Sequence, residues 1–203
     1  QIFRKLNLDT NKIIKAAKSK WNFLDFKPGL VGGHCIGVDP YYLSYIAKKN
    51  NINPKIITSG REVNDKMHIF YADKIKKSFK KNNNNFTSEK RKQIPRLLIL
   101  GFTFKENCKD IRNTKIEKLV FKLNNSGFKN DIYDPYVNSK EFEYLFPKLN
   151  LIKNINYKKY DGVILAVSHS MFKQIRLTKF RKSTQFYDLK NFVKSKIIKI
   201  NYI

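Results

Sequence analysis

Residues 162–167 read GVILAV, an unbroken apolar run with the length of one strand buried on both faces. Four further strand candidates occupy residues 97–100, 131–133, 185–188 and 197–200. A helical pattern at residues 114–125, ended by Gly127, lies between the first two of these candidates. Because strands and helices alternate, this half of the chain is predicted to form a parallel α/β sheet with right-handed crossovers.

The loop after residues 97–100 has the position of a dinucleotide phosphate loop but lacks its glycines. Gly101 is followed by Phe102, Thr103 and Phe104, so the pattern G-x-G-x-x-G is absent. We therefore expect this sheet not to bind a dinucleotide in the usual way.

Four charged residues, Lys105, Lys109, Asp110 and Arg112, follow this first strand. In an open α/β sheet, ligands gather beyond the carboxyl ends of the strands. Lysine and arginine can bind phosphate there, arginine in bidentate fashion. A solvated charged loop is the alternative in a chain this basic, and the position at a strand end favours a ligand role.

The first 85 residues have helical rather than strand periodicity. Helices are predicted at residues 1–20, 41–50 and 63–80. Asp9 or Thr10 is expected to cap the second half of the first helix. The polar, low-complexity residues 86–96 are predicted to link this helical unit, residues 1–85, to an α/β domain at residues 97–203. A long surface loop within one domain is the alternative.

Residues 22–40 interrupt the helical pattern and contain a nucleophile candidate. The prolines and glycines that predict an irregular loop there are Pro28, Gly29, Gly32, Gly33, Gly37 and Pro40. Cys35 lies among these residues, where its sulfur would be open to a substrate and backbone N–H groups could bind an oxyanion. A buried, inert cysteine is the alternative. His34 is adjacent to Cys35, and Asp39 lies four residues later.

Composition restricts the choice of function. Lys and Arg total 42 against 16 Asp and Glu, a net charge of +26 that would attract any polyanion. Lys far outnumbers Arg, the basic residues are spread along the chain, and no zinc-finger, RNP-like or Arg-rich segment occurs. We therefore favour compositional drift over nucleic-acid binding. No apolar run reaches the ~18 residues that would span a bilayer. Cys35 and Cys108 form neither a metal-binding pattern nor a disulfide framework, which indicates a reducing, cytoplasmic setting.

Five segments stand out for their length and order. They are FKPGLVGGHCIGVDPYYL at residues 26–43, GREVND at 60–65, ILGFTFKENCKDIRNTK at 99–115, YDPYV at 133–137 and GVILAVSH at 162–169. Together they resemble the UDP-glucose/GDP-mannose dehydrogenase family, over essentially the whole chain. The segments GGHCIGVDPYYL and FTFKENCKDIRNT most resemble those of the subgroup that acts on UDP-N-acetylhexosamines, such as UDP-GlcNAc or UDP-ManNAc.

The resemblance implies an architecture of three parts: an NAD-binding Rossmann domain, a central helical domain used for dimerisation, and a Rossmann-like parallel-sheet domain that binds the nucleotide sugar. This chain resembles the later part of the central domain and all or most of the third, with no counterpart of the first. Either the chain is truncated or the rest is encoded separately. Because the central domain serves dimerisation, we expect the intact enzyme to be a homodimer. Because the NAD-binding domain has no counterpart here, we expect this chain alone to be inactive.

The resemblance also implies roles for individual residues. NAD would oxidise the C6 alcohol of the sugar to an aldehyde, which Cys35 would capture as a thiohemiacetal. A second oxidation would give a thioester, and water activated or positioned by Asp39 would release the uronate. Arg112 matches an arginine that reaches the NAD phosphates. The expected substrate contacts are Phe26, Lys27, Gly29, Gly32, Gly33, Arg61, Phe104, Lys105 and Lys190. No metal ion is expected.

Three functions are distinguished. The chain is part of an enzyme that makes a UDP-sugar uronate for surface polysaccharide, a module that binds a UDP-sugar without turnover, or a basic nucleic-acid-binding protein. Salt dependence separates the last two, since binding to a phosphate backbone weakens steeply with salt. The resemblance favours the first, with a UDP-sugar as partner and neither nucleic acid nor membrane.

Overall fold

A computed structural model of the chain describes residues 1–24, 28–82, 94–193 and 199–202. Two of the expected substrate contacts, Phe26 and Lys27, lie outside the described residues, as does most of the predicted linker.

The N-terminal half is helical, as its periodicity predicts. Its helices are α1 (Ile2–Lys5), α2 (Thr10–Ala17), α3 (Cys35–Lys49) and α4 (Lys55–Asn82). The single helix expected over residues 1–20 is interrupted, because Asn7 adopts a left-handed conformation with φ 56°. The predicted cap of its second half is confirmed: the Asp9 side chain accepts hydrogen bonds from the backbone N–H groups of Asn11 and Lys12.

Two helix boundaries differ from the sequence-based expectation. Helix α3 begins at Cys35, inside the stretch expected to be irregular, and continues through Pro40. Helix α4 begins at Lys55, eight residues before the predicted start at residue 63. Its apolar stripe begins late because no side chain before Tyr71 is buried, so the first turns carry no hydrophobic signal.

The C-terminal half contains one parallel sheet, which confirms the predicted α/β fold class. Its strands are β1 (Arg96–Leu100), β2 (Lys129–Tyr133), β3 (Gly162–Leu165), β4 (Gln185–Asp188) and β5 (Ile200–Tyr202), in the order β2-β1-β3-β4-β5. Helix α5 (Ile116–Asn124) connects β1 to β2, and α6 (Ser139–Leu145), which the sequence did not predict, follows β2. The strand order reverses between β1 and β3, where open α/β sheets bind ligands.

Helix α4 joins the two halves of the chain. Its C-terminal part buries Tyr71, Ala72, Ile75 and Phe79 in the same apolar cluster as β1 and α5. The rings of Phe79 and Phe128 pack edge to face with centroids 5.3 Å apart. The segments on either side of the predicted linker therefore share one core. Within the described residues, no helix combines the length and the apolar character that crossing a membrane requires.

Gly101 allows β1 to end directly against the loop after β3. It has φ +91°, and an added Cβ would lie 2.5 Å from the Cβ of Val167 and 2.9 Å from its backbone nitrogen. Both the left-handed conformation and the close approach require glycine. The loop that follows β1 therefore starts in a fixed direction.

Replacing Gly101 with alanine is expected to lower the free energy of unfolding by at least about 2 kcal/mol, because both strain and overlap are introduced. Urea denaturation measures the change. Gly60→Ala is the matched control: it lies inside α4 with no atom within 4 Å of an added Cβ, so a gain of about 0.5–1 kcal/mol is expected. Equal stability of Gly101→Ala and the wild type would contradict this account.

Candidate functional site

An open cleft of about 1240 Å³ lies between the N-terminal helices and the carboxyl ends of the strands. Its basic lining residues are Arg4, Lys15, Lys18, Lys74, Lys173 and Lys190, and its acidic ones are Asp9 and Glu106. The cleft is large enough for a nucleotide-sized ligand. The excess of basic side chains favours an anionic one.

The segment that leads to Cys35 lies directly on the loop after β1. A Cβ on Gly32 would lie 2.6 Å from the carbonyl oxygen of Asn113, and one on Gly33 would lie 3.0 Å from the ring of Phe104. Gly33 also has φ +102°. Glycine at both positions is therefore what allows these two backbones to touch.

Lys190 approaches the same segment from the loop after β4. A Cβ on Gly29 would lie 2.6 Å from the Nζ of Lys190. The turn that carries Lys190 is fixed by Asp188, whose carboxylate accepts backbone N–H bonds from Lys190, Phe192 and Val193 at 2.8–2.9 Å. Burial raises the pKa of Asp188, although these N–H bonds act in the opposite direction.

Cys35 is exposed and is the first residue of α3. The first N–H groups of a helix have no partner within the helix and carry partial positive charge, so this position can stabilise an anion on sulfur or on an attacked carbonyl oxygen. Asp39 lies one helical turn further along α3, is also exposed, and shares a helix face with Cys35. The role that the family resemblance implies for Asp39, beside Cys35, stays a prediction.

His34 and Arg112 meet at Asp110. The His34 Nδ1 lies 3.7 Å from Asp110 Oδ2, and Arg112 donates two side-chain hydrogen bonds to the Asp110 carboxylate, from Nε at 3.0 Å and Nη2 at 2.9 Å. The hydrogen bond from Arg112 holds the pKa of Asp110 below its ordinary value and raises the pKa of Arg112. The Arg112 side chain is 63% exposed, so part of its guanidinium is open to a phosphate.

Lys105 and Arg61 have different surroundings. Lys105 is exposed, and its Nζ lies 5.3 Å from the centre of the Phe104 ring, within range of a cation–π contact. The guanidinium of Arg61 donates a hydrogen bond to the carbonyl oxygen of Ile36, the residue after Cys35. A direct contact between Arg61 and a substrate stays a prediction.

A buried pair of side chains, Asp134 and His169, fixes the loop after β1. Both side chains are fully buried, with His169 Nε2 3.0 Å from Asp134 Oδ2. The same Oδ2 accepts backbone N–H bonds from Phe102 at 2.7 Å and Thr103 at 3.1 Å. The Asn107 N–H donates to His169 Nδ1 at 2.9 Å, so the hydrogen-bond partners assign the histidine proton to Nε2.

The sequence alone assigned no role to Asp134 or His169, although both lie in segments that carry the family resemblance. Each lies just beyond the carboxyl end of a strand, β2 for Asp134 and β3 for His169, and that shared position was the available signal. Burial alone would raise the pKa of Asp134, but hydrogen bonds from His169 and from backbone N–H groups outweigh burial and lower it. Among the described residues, no group of three or more His, Cys, Asp or Glu side chains could hold a metal ion.

Two regions of the chain match the UDP-glucose/GDP-mannose dehydrogenase family. Residues 98–195 match its UDP binding domain, and residues 1–66 match its central domain. The chain is 46% identical over 176 residues to a UDP-N-acetyl-D-glucosamine 6-dehydrogenase of Salmonella typhi, which covers 86% of this chain and 39% of the relative. It is 39% identical over 193 residues to the protein of the same name from Pseudomonas aeruginosa, covering 93% and 44%.

Solved structures agree with these matches. The structure of the UDP-N-acetyl-mannosamine dehydrogenase Cap5O from S. aureus superposes with a TM-score of 0.75 at 25% identity, over 98% of this chain and 44% of that one. A UDP-D-ManNAc dehydrogenase from Pyrococcus horikoshii has the same fold, with a TM-score of 0.77 at 24% identity, over 98% and 45%. The chain thus spans about two fifths of the length of the curated relatives it matches.

Replacing Asp134 with asparagine is expected to lower the free energy of unfolding at neutral pH by about 2 kcal/mol, because an amide is a weaker acceptor for these buried donors. Folding lowers the pKa of Asp134. The carboxylate therefore makes its full contribution to the free energy of unfolding at a pH above its unfolded-state pKa of about 4. This contribution is lost as the pH falls through the lower folded-state value. The stability difference should therefore close in acid.

Urea denaturation over a pH series measures this difference. Asp73→Asn, which changes an exposed carboxylate on α4, is the matched control and should stay within about 0.5 kcal/mol of the wild type. Equal free energies of unfolding for Asp134→Asn and the wild type at neutral pH would contradict the assignment. A difference in this free energy that persists unchanged into strong acid would contradict it as well.

Proposed function

The chain belongs to the UDP-glucose/GDP-mannose dehydrogenase family, and on that basis we propose that it is the nucleophile-bearing part of an NAD-dependent UDP-sugar 6-dehydrogenase. The single observation that carries the proposal is the position of Cys35, exposed at the start of α3 on a segment held against Phe104. The proposed substrate is a UDP-N-acetylhexosamine, because the relatives from S. typhi and P. aeruginosa bear that name. The proposed product is a uronate for surface polysaccharide.

The basic cleft is the proposed site for the nucleotide part of the substrate. Lys190 lines it, and Pro28, at the start of the segment that leads to Cys35, lines it as well. The diphosphate would be bound by Lys190 and Lys105. The sugar would contact the backbone at Gly29, Gly32 and Gly33 and the ring of Phe104, beside Cys35. We retain Phe26 and Lys27 as proposed substrate contacts. For Arg61, whose guanidinium donates to the Ile36 carbonyl oxygen, the expected substrate contact is the alternative to a role in positioning the chain beside Cys35.

The residues of this chain fit the covalent half of the reaction. The Cys35 sulfur attacks the C6 aldehyde carbon to form a thiohemiacetal, whose oxygen the first N–H groups of α3 can stabilise. After the second oxidation the sulfur holds a thioester. Asp39 takes a proton from water as the oxygen of that water bonds to the thioester carbon. The C–S bond then breaks, Cys35 leaves as the thiolate, and the uronic acid is released.

The proposed oxidant is NAD, which when bound would supply the hydride acceptor that both oxidations at C6 require. Arg112 fits a phosphate of NAD, because its guanidinium is paired on one side with Asp110 and is otherwise exposed. The loop after β1 does not fit the pyrophosphate, because Gly101 is packed on Val167 and Phe102 is buried. We therefore assign Arg112 alone of the discussed residues to the cofactor.

A UDP-sugar-binding module without turnover is the second candidate. The observation that favours it is the basic cleft, whose lining does not include Cys35. In this function the cleft would bind the nucleotide and Cys35 would have no chemical role.

A second copy of the chain is the proposed partner of α3. Ser44 is the one buried residue of this helix, and its large exposed apolar side chains are Ile36, Tyr41, Tyr42, Leu43, Tyr45 and Ile46. Apolar surface of this extent on one helix is typical of an interface. A twofold dimer would cover part of this apolar surface on both copies. We propose a homodimer that works in the cytoplasm, with neither nucleic acid nor membrane as partner.

The substitution Cys35→Ala tests the enzymatic proposal. NADH formation is measured with UDP-GlcNAc and UDP-ManNAc, using this chain and a form extended by any upstream coding sequence. We expect turnover only in the extended form. Because the first oxidation does not need Cys35, the uronate is quantified beside NADH, and its formation should fall by at least about a thousandfold with Cys35→Ala, since a covalent step is removed. Cys108→Ala, which alters the other cysteine, should retain activity.

If every form fails to oxidise either sugar and Cys35 is unreactive toward alkylating agents, the enzymatic proposal is wrong. Saturable, uridine-specific binding by the same protein would then support the binding module. Binding of any polyanion that disappears steeply with salt would instead support a nucleic-acid-binding protein.

The double substitution Leu43→Asp with Ile46→Asp tests the proposed dimer. We expect the wild-type chain to sediment as a dimer and the variant to dissociate at least about tenfold more readily, because two carboxylates would be buried in an apolar interface. Tyr144→Asp, at a still more exposed aromatic residue on α6, is the control and should remain dimeric. A monomeric wild type, or a variant that still dimerises, would overturn this assignment.

A further inference from the structure

Three polar residues of α4, Arg61, Asn64 and Asp65, have the spacing i, i+3, i+4 and therefore share one face of the helix. We propose that this set, the α4 clamp, positions Cys35 by holding the chain on both sides of it. The proposal rests on the proposed role of Cys35 as nucleophile. It assigns a function to the segment GREVND, for which the sequence indicated only a substrate contact by Arg61.

Arg61 compensates for Pro40. In a regular helix the N–H of residue 40 would donate to the carbonyl oxygen of Ile36, but proline has no N–H. The Arg61 guanidinium donates to that same oxygen. The first turn of α3, which begins with Cys35, thus obtains from α4 the hydrogen bond that its own backbone lacks.

Asn64 holds the segment before Cys35. Its Nδ2 donates to the carbonyl oxygen of Val31 at 3.0 Å, and its Oδ1 accepts the Val31 N–H at 3.3 Å. Both backbone groups of one residue are therefore bound by one side chain. This pairing fixes the segment immediately before Gly32 and Gly33, where it touches the loop after β1.

Asp65 connects α3 to the sheet half of the chain. One carboxylate oxygen accepts the Tyr41 hydroxyl, and the other accepts the Nζ of Lys115 at 2.6 Å. Burial would raise the pKa of Asp65, but the bonds from Lys115 and Tyr41 outweigh it and lower the pKa, so this group is charged at neutral pH. The Lys115 side chain is only 16% exposed, and it directly precedes α5.

Together the three residues hold the chain four residues before Cys35, one residue after it and six residues after it. The other end of α4 is anchored in the core through Ile75 and Phe79. Helix α4 therefore fixes the position of the sulfur relative to the sheet, and the loop before Cys35 does not do so alone. Such support from outside the reacting groups is what fixes a nucleophile to within a fraction of an ångström.

Hydrogen exchange of the 203-residue chain tests the clamp directly. In Asn64→Ala the amide of Val31, and in Arg61→Met the amides of Val38 and Asp39 in the first turn of α3, are expected to exchange about tenfold faster, because the hydrogen bonds that hold these groups are lost or weakened. The amides of β1 should be unchanged. Glu62→Gln is the matched control, since Glu62 lies on the same turn but pairs only with exposed Lys66. Exchange in both variants equal to that of the control would overturn the proposal.

Pro40→Ala provides a readout that a general loss of stability would not give. Alanine supplies the missing N–H to Ile36, so Arg61→Met should accelerate exchange of the Val38 and Asp39 amides much less in the Pro40→Ala background than in the wild type. Equal acceleration in both backgrounds would show that Arg61 does not act through the gap left by Pro40.

Kinetics of the extended enzyme separate positioning from substrate binding. For Arg61→Met we expect kcat to fall by about tenfold or more, with KM for the UDP-sugar changed by less than about twofold. A raised KM with unchanged kcat would make Arg61 a substrate contact and overturn its place in the clamp. If Cys35→Ala still forms the acid, the proposed function fails, while the exchange measurements still decide whether the clamp exists.

Discussion

The contact of Gly32 and Gly33 with Asn113 and Phe104 is the constraint on which the rest of the site depends. At these glycines, with the Gly33 Cβ position 3.0 Å from an aromatic ring, no other residue type fits without displacement. The contact brings the start of α3 against the carboxyl end of β1. It places the proposed nucleophile beside the loop that carries Phe104 and Lys105.

Further contacts hold each of the two segments that meet at these glycines. On the sheet side, Asp134 and His169 are buried together and bind the backbone of Phe102, Thr103 and Asn107, so the loop that carries Phe104 and Lys105 has one conformation. Buried polar groups that are fully paired specify geometry in this way. On the helical side, α4 is part of the core of the sheet and reaches the backbone around Cys35. The segment held by α4 and the loop held by Asp134 and His169 meet at Gly32 and Gly33.

The sequence predicts the sheet better than it predicts the contacts that join the sheet to the helical half. Apolar runs such as GVILAV determine buried strands, because a strand covered on both faces has almost no polar positions. The start of α3 was missed because Pro40 is locally a helix breaker, and its compensation comes from Arg61, 21 residues further along the chain. His169 was missed because its partner Asp134 is 35 residues away and is adjacent only in the folded sheet. Local patterns do not contain such long-range hydrogen bonds.

The central claim is that this chain brings Cys35 to the C6 carbon of a bound UDP-sugar. The most direct test is nuclear magnetic resonance of the chain mixed with a UDP-N-acetylhexosamine 6-aldehyde that is isotopically labelled at C6, since thiohemiacetal formation needs neither NAD nor an oxidation step. The account predicts a new C6 resonance at a thiohemiacetal shift that disappears in Cys35→Ala and persists in Cys108→Ala. A spectrum that contains only the free aldehyde and its hydrate, with the nucleotide shown to be bound, would contradict it.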